Sequence, residues 1–409
     1  MKILHVTPHL GGGVGKAHAA LSAALPKNAV EQTFLLLEQP RDPRYANLIA
    51  ENGAAVVVAG DLGHIARLAN AADIVQFEFW NHPRLFECLA RCEFPAMRSV
   101  FWSHISGLAP PIIQPGLMQE AARFVFTTEA SLSMSALKAV SEPGNIRVIN
   151  SGFGFAGAPK HTPRHNGKLT IAYLGTVDFV KMHPVFFDTV DRLDADNVLI
   201  SVWGNVDLSG DVARYARAMR HPERIAFRGE TAAPAVALSQ ADIFFYPLQS
   251  DHYGTAENVL IEAMSLGLVP VVMNNPAEMA IVRDGENGFV AHSTEQCISL
   301  LQMLLSSPEQ RSRISQNAVR YVTENRMPLQ AAQEFMILWL GLLGEPARRC
   351  DFRRAIGESP ADWFLATQHL SGAGRESAGR HVAGKPAKGS LAHFESIFAG
   401  DTSLTRLRG

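Results

Sequence analysis

Three places in the sequence combine residue types that bind phosphate or sugar hydroxyls. The glycine-rich loop Gly11–Lys16 follows the first apolar run and precedes a helical pattern, so its amides can approach an anion closely. His104 follows the predicted strand Ser99–Trp102, where its imidazole can donate to a sugar hydroxyl or a phosphate. Lys181 follows the predicted strand Leu169–Leu174, where its ammonium can neutralise a phosphate.

The glycine loop does not fit the two best-known nucleotide-binding patterns. A P-loop needs a glycine where Leu10 stands and a serine or threonine where Ala17 stands. A dinucleotide fingerprint that begins at Gly11 needs its third glycine where Lys16 stands. These mismatches disfavour an NTPase and an NAD-dependent dehydrogenase, and a tight turn without a ligand is the remaining alternative.

A dense group of polar residues lies between Asp251 and Gly267. Thr255 can cap the helix that is predicted over Asn258–Leu266. Glu262 lies within this mostly apolar helix, and a carboxylate there can pair with the two vicinal hydroxyls of a ribose. The alternative is a partly exposed glutamate on the polar side of an amphipathic helix.

The positions of these residues depend on two series of short apolar runs that alternate with helical patterns. This alternation predicts an α/β protein with two Rossmann-like doubly wound domains. We expect an N-terminal domain over residues 1–157, a linker over 158–168 and a C-terminal domain over 169–343. Residues 297–343 read as helical with a break at Pro328, and the tail, 344–409, is expected to be partly helical.

Composition excludes several classes of protein. The chain has 409 residues, of which 47% are hydrophobic, and its net charge of -2 disfavours a nucleic-acid-binding protein. The sequence contains no run of 18 apolar residues, so it predicts no transmembrane helix. The four scattered cysteines favour a reduced, cytoplasmic protein without disulfides or a zinc site.

Two further motifs favour ordinary structural roles. Asp194 and Asp196 form an Asp-x-Asp pattern that can hold a metal in some transferases, but its place between a helix and a strand favours a solvated turn. We therefore expect no metal. His82 also follows a predicted strand, with a weaker indication of function than His104.

The second half of the chain resembles the donor domain of the retaining GT-B glycosyltransferases of family 4, the group that includes glycogen synthase and phosphatidylinositol mannosyltransferases. The similar stretches are Ile171–Gly175 with Lys181, Ile200–Gly204, Arg224–Gly229, Ala241–Pro247, Asn258–Gly267 with Pro270–Val272, and Asp284–Val290. They follow the family's order over more than a hundred residues. In the first half, Met1–Gly15 and Ile146–Gly152 are similar over shorter stretches.

Two positions depart from the family's pattern. The family's first paired glutamate would stand at Gly254, so Glu257 or Asp251 replaces it, or backbone amides hold the donor sugar without it. The family's arginine in the first loop of this domain is Thr176 here. The identity of the donor sugar is left open by these changes.

The resemblance implies two domains that face each other across a cleft, the first for the acceptor and the second for a nucleotide-sugar, with no cofactor. It implies that Lys181 and His104 are catalytic, that Glu262 holds the ribose and that Lys181 and Thr176 contact the diphosphate. The full implied donor-binding set is Gly12, Gly13, Gly15, Thr176, Tyr253, Gly254, Thr255, Glu257, Asn258, Val259 and Glu262.

The resemblance further implies transfer with retention to a glycan, lipid or other acceptor, in the synthesis of a surface or secreted polysaccharide. The location it implies is the cytoplasm, with peripheral association at the inner face of the membrane left open. Two alternatives remain at this point. One is a GT-B sugar epimerase, and the other is a degenerate nucleotide-sugar-binding protein without transferase activity.

Overall fold

The computed structural model describes residues 1–40, 42–141, 143–152, 169–194, 198–252, 254, 258–368, 381–382, 385–386 and 389–408. The chain forms two compact units. The first contains Met1–Gly152 and Pro328–Gly409, and the second contains Phe153–His252 and Glu257–Met327. The expected linker, 158–168, lies outside the described residues.

The N-terminal segment of the first unit forms a seven-stranded parallel sheet in the order β3-β2-β1-β4-β5-β6-β7. Its strands are β1 (Lys2–Thr7), β2 (Glu31–Leu36), β3 (Ala55–Val58), β4 (Ile74–Phe79), β5 (Ser99–Ser103), β6 (Arg123–Phe126) and β7 (Ile146–Val148). The helices between them are α1 (Gly12–Ala24), α2 (Arg44–Glu51), α3 (Leu62–Ala71), α4 (Pro83–Arg91) and α5 (Pro115–Glu120), followed by three short 3-10 turns at Glu129–Ser133, Ser135–Ala139 and Pro143–Asn145. Helices cover both faces, so every residue of β4 is buried.

The second unit is built on a six-stranded parallel sheet in the order β10-β9-β8-β11-β12-β13. Its strands are β8 (Leu169–Leu174), β9 (Val198–Trp203), β10 (Ile225–Gly229), β11 (Ile243–Tyr246), β12 (Val269–Met273) and β13 (Phe289–Ala291). Its helices are α6 (Val185–Asp191), α7 (Asp211–Arg217), α8 (Pro234–Leu238), α9 (Asn258–Ser265), α10 (Pro276–Met279), α11 (Thr294–Ser306) and α12 (Pro308–Asn325), with a 3-10 turn at Pro222–Arg224. The predicted α/β class with two Rossmann-like sheets is confirmed.

After α12 the chain belongs to the first unit again. The elements of this C-terminal segment are α13 (Pro328–Leu343), α14 (Phe352–Ile356), α15 (Pro360–Leu365), the two-residue strands β14 (His381–Val382) and β15 (Lys385–Pro386), α16 (Leu391–Ile397) and α17 (Thr402–Thr405). Pro328 begins α13, so the helical run does break there. No helix within the described ranges is long and apolar enough to span a membrane.

Helix α13 lies in the first unit and not in the C-terminal domain, where it was predicted from the sequence. Trp339 is fully buried and donates from Nε1 to Oε1 of Gln76 on β4, at 3.0 Å. The ring of Phe335 packs on that of Trp102 with 4.8 Å between centroids. The domain boundary therefore falls before Pro328 rather than after residue 343.

The helices of the tail complete the core of the first unit. Phe352, Trp363 and Phe394 are buried in the same apolar cluster as Phe77 on β4 and Phe86 on α4. The rings of Phe77 and Phe352 lie 5.6 Å apart, and those of Phe86 and Phe394 lie 6.1 Å apart. The described part of the tail is thus partly helical, and its helices α15 and α16 pack on this unit.

Gly15 shows why the first helix begins with glycines. A Cβ on this residue would overlap the carbonyl oxygen of Leu10 and would lie 3.0 Å from Cβ of Tyr45. Gly12, by contrast, has open space around it and a φ of +63°. Close packing of the loop against α1 thus requires Gly15, and a left-handed backbone requires Gly12.

We expect Gly15→Ala to lower the free energy of unfolding by about 2 kcal/mol or more, because the added methyl overlaps backbone atoms. Gly341→Ala in α13 is the matched control, since no atom lies within 4 Å of its added Cβ. That control should be neutral or slightly stabilising. Urea unfolding of both variants measures the difference, and equal stabilities would contradict the packing argument.

Candidate functional site

The switch point of the second sheet lies between β8 and β11, whose following connections lead to helices on opposite sides. The loop 175–184 follows β8, and the segment 247–257 follows β11. Because all strands of this sheet are parallel, both connections leave from the same edge. An open α/β sheet binds ligands outside this edge. Lys181 lies in the first of these connections, and Asn258 and Glu262 lie on the helix that follows the second.

Lys181 is held at this edge by backbone pairing between the two connections. Its carbonyl oxygen accepts from the amide of Gln249 at 2.9 Å, and the amide of His183 donates to Pro247 at 2.9 Å. The Lys181 ammonium lies 5.7 Å from the ring centroid of Tyr246, in a cation–π contact. The structure thus places a half-buried cation next to the end of β11.

Glu262 and Asn258 lie on α9, the helix that follows β11. Glu262 is buried, so it is not an exposed glutamate on a polar helix face. The Oδ1 atom of Asn258 is buried without a hydrogen-bond partner among the described residues. Helix α9 therefore carries two polar side chains within an apolar environment, which is the composition expected of a polar ligand site.

The remaining predicted donor-site residues vary in how the structure describes them. Thr176 is exposed, and its carbonyl oxygen accepts from the hydroxyl of Tyr173 at 2.8 Å. Val259 is half-buried in the first turn of α9. Tyr253, Thr255 and Glu257 lie outside the described residues, as does Asp196, whereas Gly254 and the exposed Asp251 are described.

A buried histidine–glutamate pair at the same edge was missed in the sequence. Glu278 on α10 is fully buried, and its Oε1 lies 3.0 Å from Nε2 of His252. The sequence does contain a signal for this pair, because Glu278 follows the strand β12 by only a few residues. The pair joins the connection after β12 to that after β11.

In the first unit, the glycine loop begins α1 at the carboxyl end of β1. Gly12 and Gly13 are exposed, whereas Gly15 is buried under Leu10. The helix is 13 residues long, and no side chain caps its N-terminus at Gly11. Its first amides are thus not occupied by a side-chain cap, and Gly15 is required for packing.

His104 follows β5 and contacts a buried carboxylate that the sequence analysis did not single out. Its Nε2 lies 3.0 Å from Oε2 of Glu78 on β4, and its amide donates to Phe79 at 2.7 Å. Its ring packs against Trp102 with 4.6 Å between centroids. With Glu78 ionised, Nε2 carries the proton of the neutral imidazole and Nδ1 is the acceptor.

Glu78 is surrounded by nitrogen donors from several elements. Its Oε1 contacts Nδ1 of His5 at 3.1 Å and accepts from Nε2 of Gln76 at 3.0 Å. Its Oε2 lies 2.9 Å from Nε2 of His18, a close contact without hydrogen-bonding geometry. Burial by itself raises the pKa of Glu78, but the contacts with His18, His104 and His5 outweigh burial and hold that pKa well below its usual value.

The sequence carried a signal for this cluster. His5, Gln76 and Glu78 are polar residues within strands that are otherwise apolar, and a buried polar residue needs partners. Strands are identified from the periodicity of apolar residues, and this criterion disregards single polar residues within them. The partners come from distant parts of the chain, so their meeting could not be seen before the fold was known.

Among the residues that the structure describes, two groups of side chains have ligand atoms close enough for a metal ion. They are His5, His18 and Glu78, and His9, Glu38 and His82; within each group the atoms lie within 4.8 Å of one another. In the first group, Glu78 already interacts with nitrogen atoms of His5, Gln76, His18 and His104. These contacts account for the arrangement of the first group without an ion.

Several solved structures share this fold. Solved structures with the same fold include a glycosyltransferase from Rickettsia africae, with a TM-score of 0.69 and 12% identity over 84% of this chain and 99% of that one. Anabaena HepE, in complex with UDP and glucose, has a TM-score of 0.65 and 15% identity over 83% and 100%. Sucrose-phosphate synthase from Thermosynechococcus elongatus has a TM-score of 0.63 and 14% identity over 84% and 99%.

The family comparison agrees with the fold. Residues 158–321 match the model of the family described as glycosyl transferases group 1. No curated protein sequence matches the chain. The chain thus has the GT-B fold, and its residues 158–321 are similar to the group 1 glycosyl transferases.

His18 should make the protein labile in acid. Burial lowers the pKa of His18 from 6.5 to about 4, despite the opposing effect of Glu78. Because this pKa is lower in the folded state, the unfolded chain binds the proton first as the pH falls. We expect stability to fall by on the order of 3 kcal/mol between pH 6.5 and 4 from this residue alone.

His18→Gln should flatten this part of the stability profile, because it removes the titrating group while keeping a side-chain nitrogen donor. His64→Gln, in α3 of the same unit, is the control and should retain the wild-type slope. Urea unfolding at a series of pH values measures both. Parallel profiles for wild type and His18→Gln would contradict the assignment.

Proposed function

We propose that the protein is a glycosyltransferase whose second unit binds a nucleotide-sugar donor, and that it transfers the sugar with retention of anomeric configuration. The observation that supports the proposal is that Lys181 follows β8, and Asn258 and the buried Glu262 follow β11, the two strands at the switch point of the second sheet. This sheet lies within the segment that matches the group 1 family. Solved relatives by fold bind UDP and UDP-glucose, which supports a donor of this class.

The chemistry proposed for this site is stabilisation of the leaving group. Negative charge grows on the departing diphosphate as the glycosidic bond breaks. Lys181, which the loop pairing holds in place, supplies a positive charge where that charge grows. The exposed amides at the start of α1, together with Thr176, are the further donors proposed for the phosphates.

Glu262 is proposed to hold the ribose of the donor. Its carboxylate offers two acceptor oxygens, which match the two vicinal hydroxyls of a ribose. Burial strengthens such hydrogen bonds because little water competes for them. Gly254 and Thr176 stand where the family has a glutamate and an arginine. Experiment therefore has to identify the donor sugar and the base.

His104 is proposed as a catalytic residue that contacts the transferred sugar, in the first unit. Glu78 fixes which of its ring nitrogens carries the proton. The first unit is proposed to bind a glycan, lipid-linked or other acceptor. Synthesis of a surface or secreted polysaccharide, in the cytoplasm at the inner face of the membrane, is the role proposed for the reaction.

A thermal-shift panel of UDP-, GDP-, ADP- and TDP-sugars tests the donor assignment. A ligand that binds the folded state raises the unfolding temperature by mass action, so one of these nucleotides should stabilise the protein selectively. The bound donor should then release its nucleotide when an acceptor is added. Absence of any shift across the panel would reject a nucleotide-sugar donor.

Glu262→Gln should weaken binding of the nucleoside diphosphate by about 10- to 100-fold, the scale of one hydrogen bond to a charged group. Glu295→Gln, a highly exposed carboxylate of the same unit, is the matched control and should bind as the wild type does. Calorimetric titration with the nucleotide selected by the panel gives both affinities. Unchanged affinity in Glu262→Gln would refute the ribose assignment.

Lys181→Ala should lower turnover more than it weakens binding of the bare nucleoside, because the nucleoside lacks the phosphates that the ammonium contacts. Arg220→Ala removes a largely exposed cation from the same unit and should leave both quantities unchanged. Steady-state kinetics and nucleoside titration separate the two effects. Equal losses in turnover and in nucleoside binding would speak against a role at the leaving group.

A further inference from the structure

The loop after β8 and the segment after β11 form a short antiparallel pair at the carboxyl edge of the second sheet. Met182 pairs with Leu248 in this arrangement. The amide of His183 donates to the carbonyl oxygen of Pro247 at 2.9 Å. From the connection after β12, Nδ2 of Asn275 donates to the carbonyl oxygen of Leu248 at 3.1 Å. The backbone of His183 is therefore fixed beside the end of β11.

This pairing places the side chains of Lys181 and His183 on the same face. Successive side chains of an extended segment point to opposite faces, and residues two apart lie about 6–7 Å from each other. Met182, which lies between them, is fully buried, and so is Leu248 opposite it. Lys181 and His183 are both half-buried and therefore point to the outer face. The imidazole is thus a neighbour of the ammonium that is proposed to stabilise the leaving group.

A backbone amide fixes both the orientation and the tautomer of His183. Its Nδ1 accepts from the amide of Val185 at 3.0 Å. A proton on Nδ1 would meet the amide hydrogen, so the neutral ring carries its proton on Nε2. Burial lowers the pKa of His183 and outweighs the opposing effect of Asp188, so the ring is neutral at pH 7.

The Nε2–H group of His183 is available to a ligand. Within the described ranges, the interactions of this residue involve its backbone, its Nδ1 and the charge of Asp188, and none involves Nε2. Nor is Nε2 among the buried nitrogen atoms without a partner in the described part of the chain, so it is accessible to solvent. A directional donor with a fixed proton therefore lies at this edge of the sheet.

The chemistry of this face favours an anionic oxygen as the ligand. A metal ion needs a lone pair on Nε2, whereas the lone pair of this ring is on Nδ1 and already accepts an amide. A cationic group would be repelled by the ammonium of Lys181. Phosphate oxygens suit both side chains, because the ammonium supplies positive charge and the imidazole supplies a directed hydrogen bond.

We propose that Nε2–H of His183 donates a hydrogen bond to an oxygen of the donor's diphosphate, beside Lys181. The inference rests on the proposed function, because a nucleotide-sugar is what supplies the diphosphate. It adds a neutral donor with a fixed direction to the flexible cation. It also gives His183 a role beyond accepting the amide of Val185 in the first turn of α6.

Two variants separate ligand binding from this contact with the helix. His183→Asn keeps an acceptor for the amide of Val185, since the asparagine oxygen can take the place of Nδ1, but it removes Nε2–H. His183→Gln places a side-chain N–H near the position of Nε2. We expect His183→Asn to weaken binding of the nucleoside diphosphate by about tenfold or more and to leave binding of the bare nucleoside unchanged. His183→Gln should recover part of that loss.

Calorimetric titration of the full-length protein measures these affinities. The ligands are the nucleoside, its diphosphate, the nucleotide-sugar and inorganic pyrophosphate, with the base that the thermal-shift panel selects, or with uracil if it selects none. His64→Asn is the matched control, since Nδ1 of His64 also accepts a backbone amide, that of Gly60. His221→Asn removes an exposed imidazole from the second unit itself. Both controls should bind every ligand as the wild type does.

Three results would overturn the inference. They are equal diphosphate affinity in the wild type and His183→Asn, equal losses for the nucleoside and its diphosphate, and a loss confined to the nucleotide-sugar, which would assign Nε2–H to the sugar instead. Failure of the proposed function gives a different pattern. In that case no nucleotide binds, while pyrophosphate still binds the wild type more tightly than it binds His183→Asn. If neither nucleotides nor pyrophosphate bind, both proposals are rejected.

Discussion

A buried negative charge in the first unit determines which elements of that unit must pack together. The carboxylate of Glu78 is fully buried, and a charge in such a place is tolerated only where donors surround it. Strand β1 supplies His5, helix α1 supplies His18, and the connection after β5 supplies His104. Gln76 donates from Nε2 to the Glu78 carboxylate, and its Oε1 accepts from Nε1 of Trp339 on α13. Elements far apart in the chain thus all contact the carboxylate of Glu78. Removing one of its partners lowers the free energy of unfolding by several kcal/mol.

The same constraint links structure to the proposed chemistry. His104 is the member of the cluster that retains some exposure, and its proton is placed by the carboxylate behind it. A similar device recurs at His183, where a backbone amide rather than a carboxylate selects the protonated nitrogen. In the second unit, Lys181 is placed by paired loops instead. The carboxyl edge of the sheet in each unit positions these residues. Local hydrogen bonds determine which of their atoms face a ligand.

Much of this arrangement could be predicted from the sequence. Apolar runs followed by turns predicted most strands, and the collinear motifs of the second half predicted the class of enzyme. Helix α2 was missed, and helix α13 was assigned to the other domain, because an apolar helical pattern does not reveal which surface it covers. His5, Gln76 and Glu78 were passed over because strand periodicity treats them as interruptions. Their partners lie tens to hundreds of residues away, and only the fold brings them together.

The path of the chain has a consequence for how the protein is made. The first unit takes its sheet from the start of the chain and completes its core with Phe352, Trp363 and Phe394 near the end. On the ribosome, the apolar surface of the N-terminal sheet therefore stays uncovered until Phe352, Trp363 and Phe394 have been synthesised. The second unit is encoded within that interval and can fold while the first is still incomplete. Loss of Phe352, Trp363 and Phe394 therefore damages the core around the N-terminal sheet rather than the second unit.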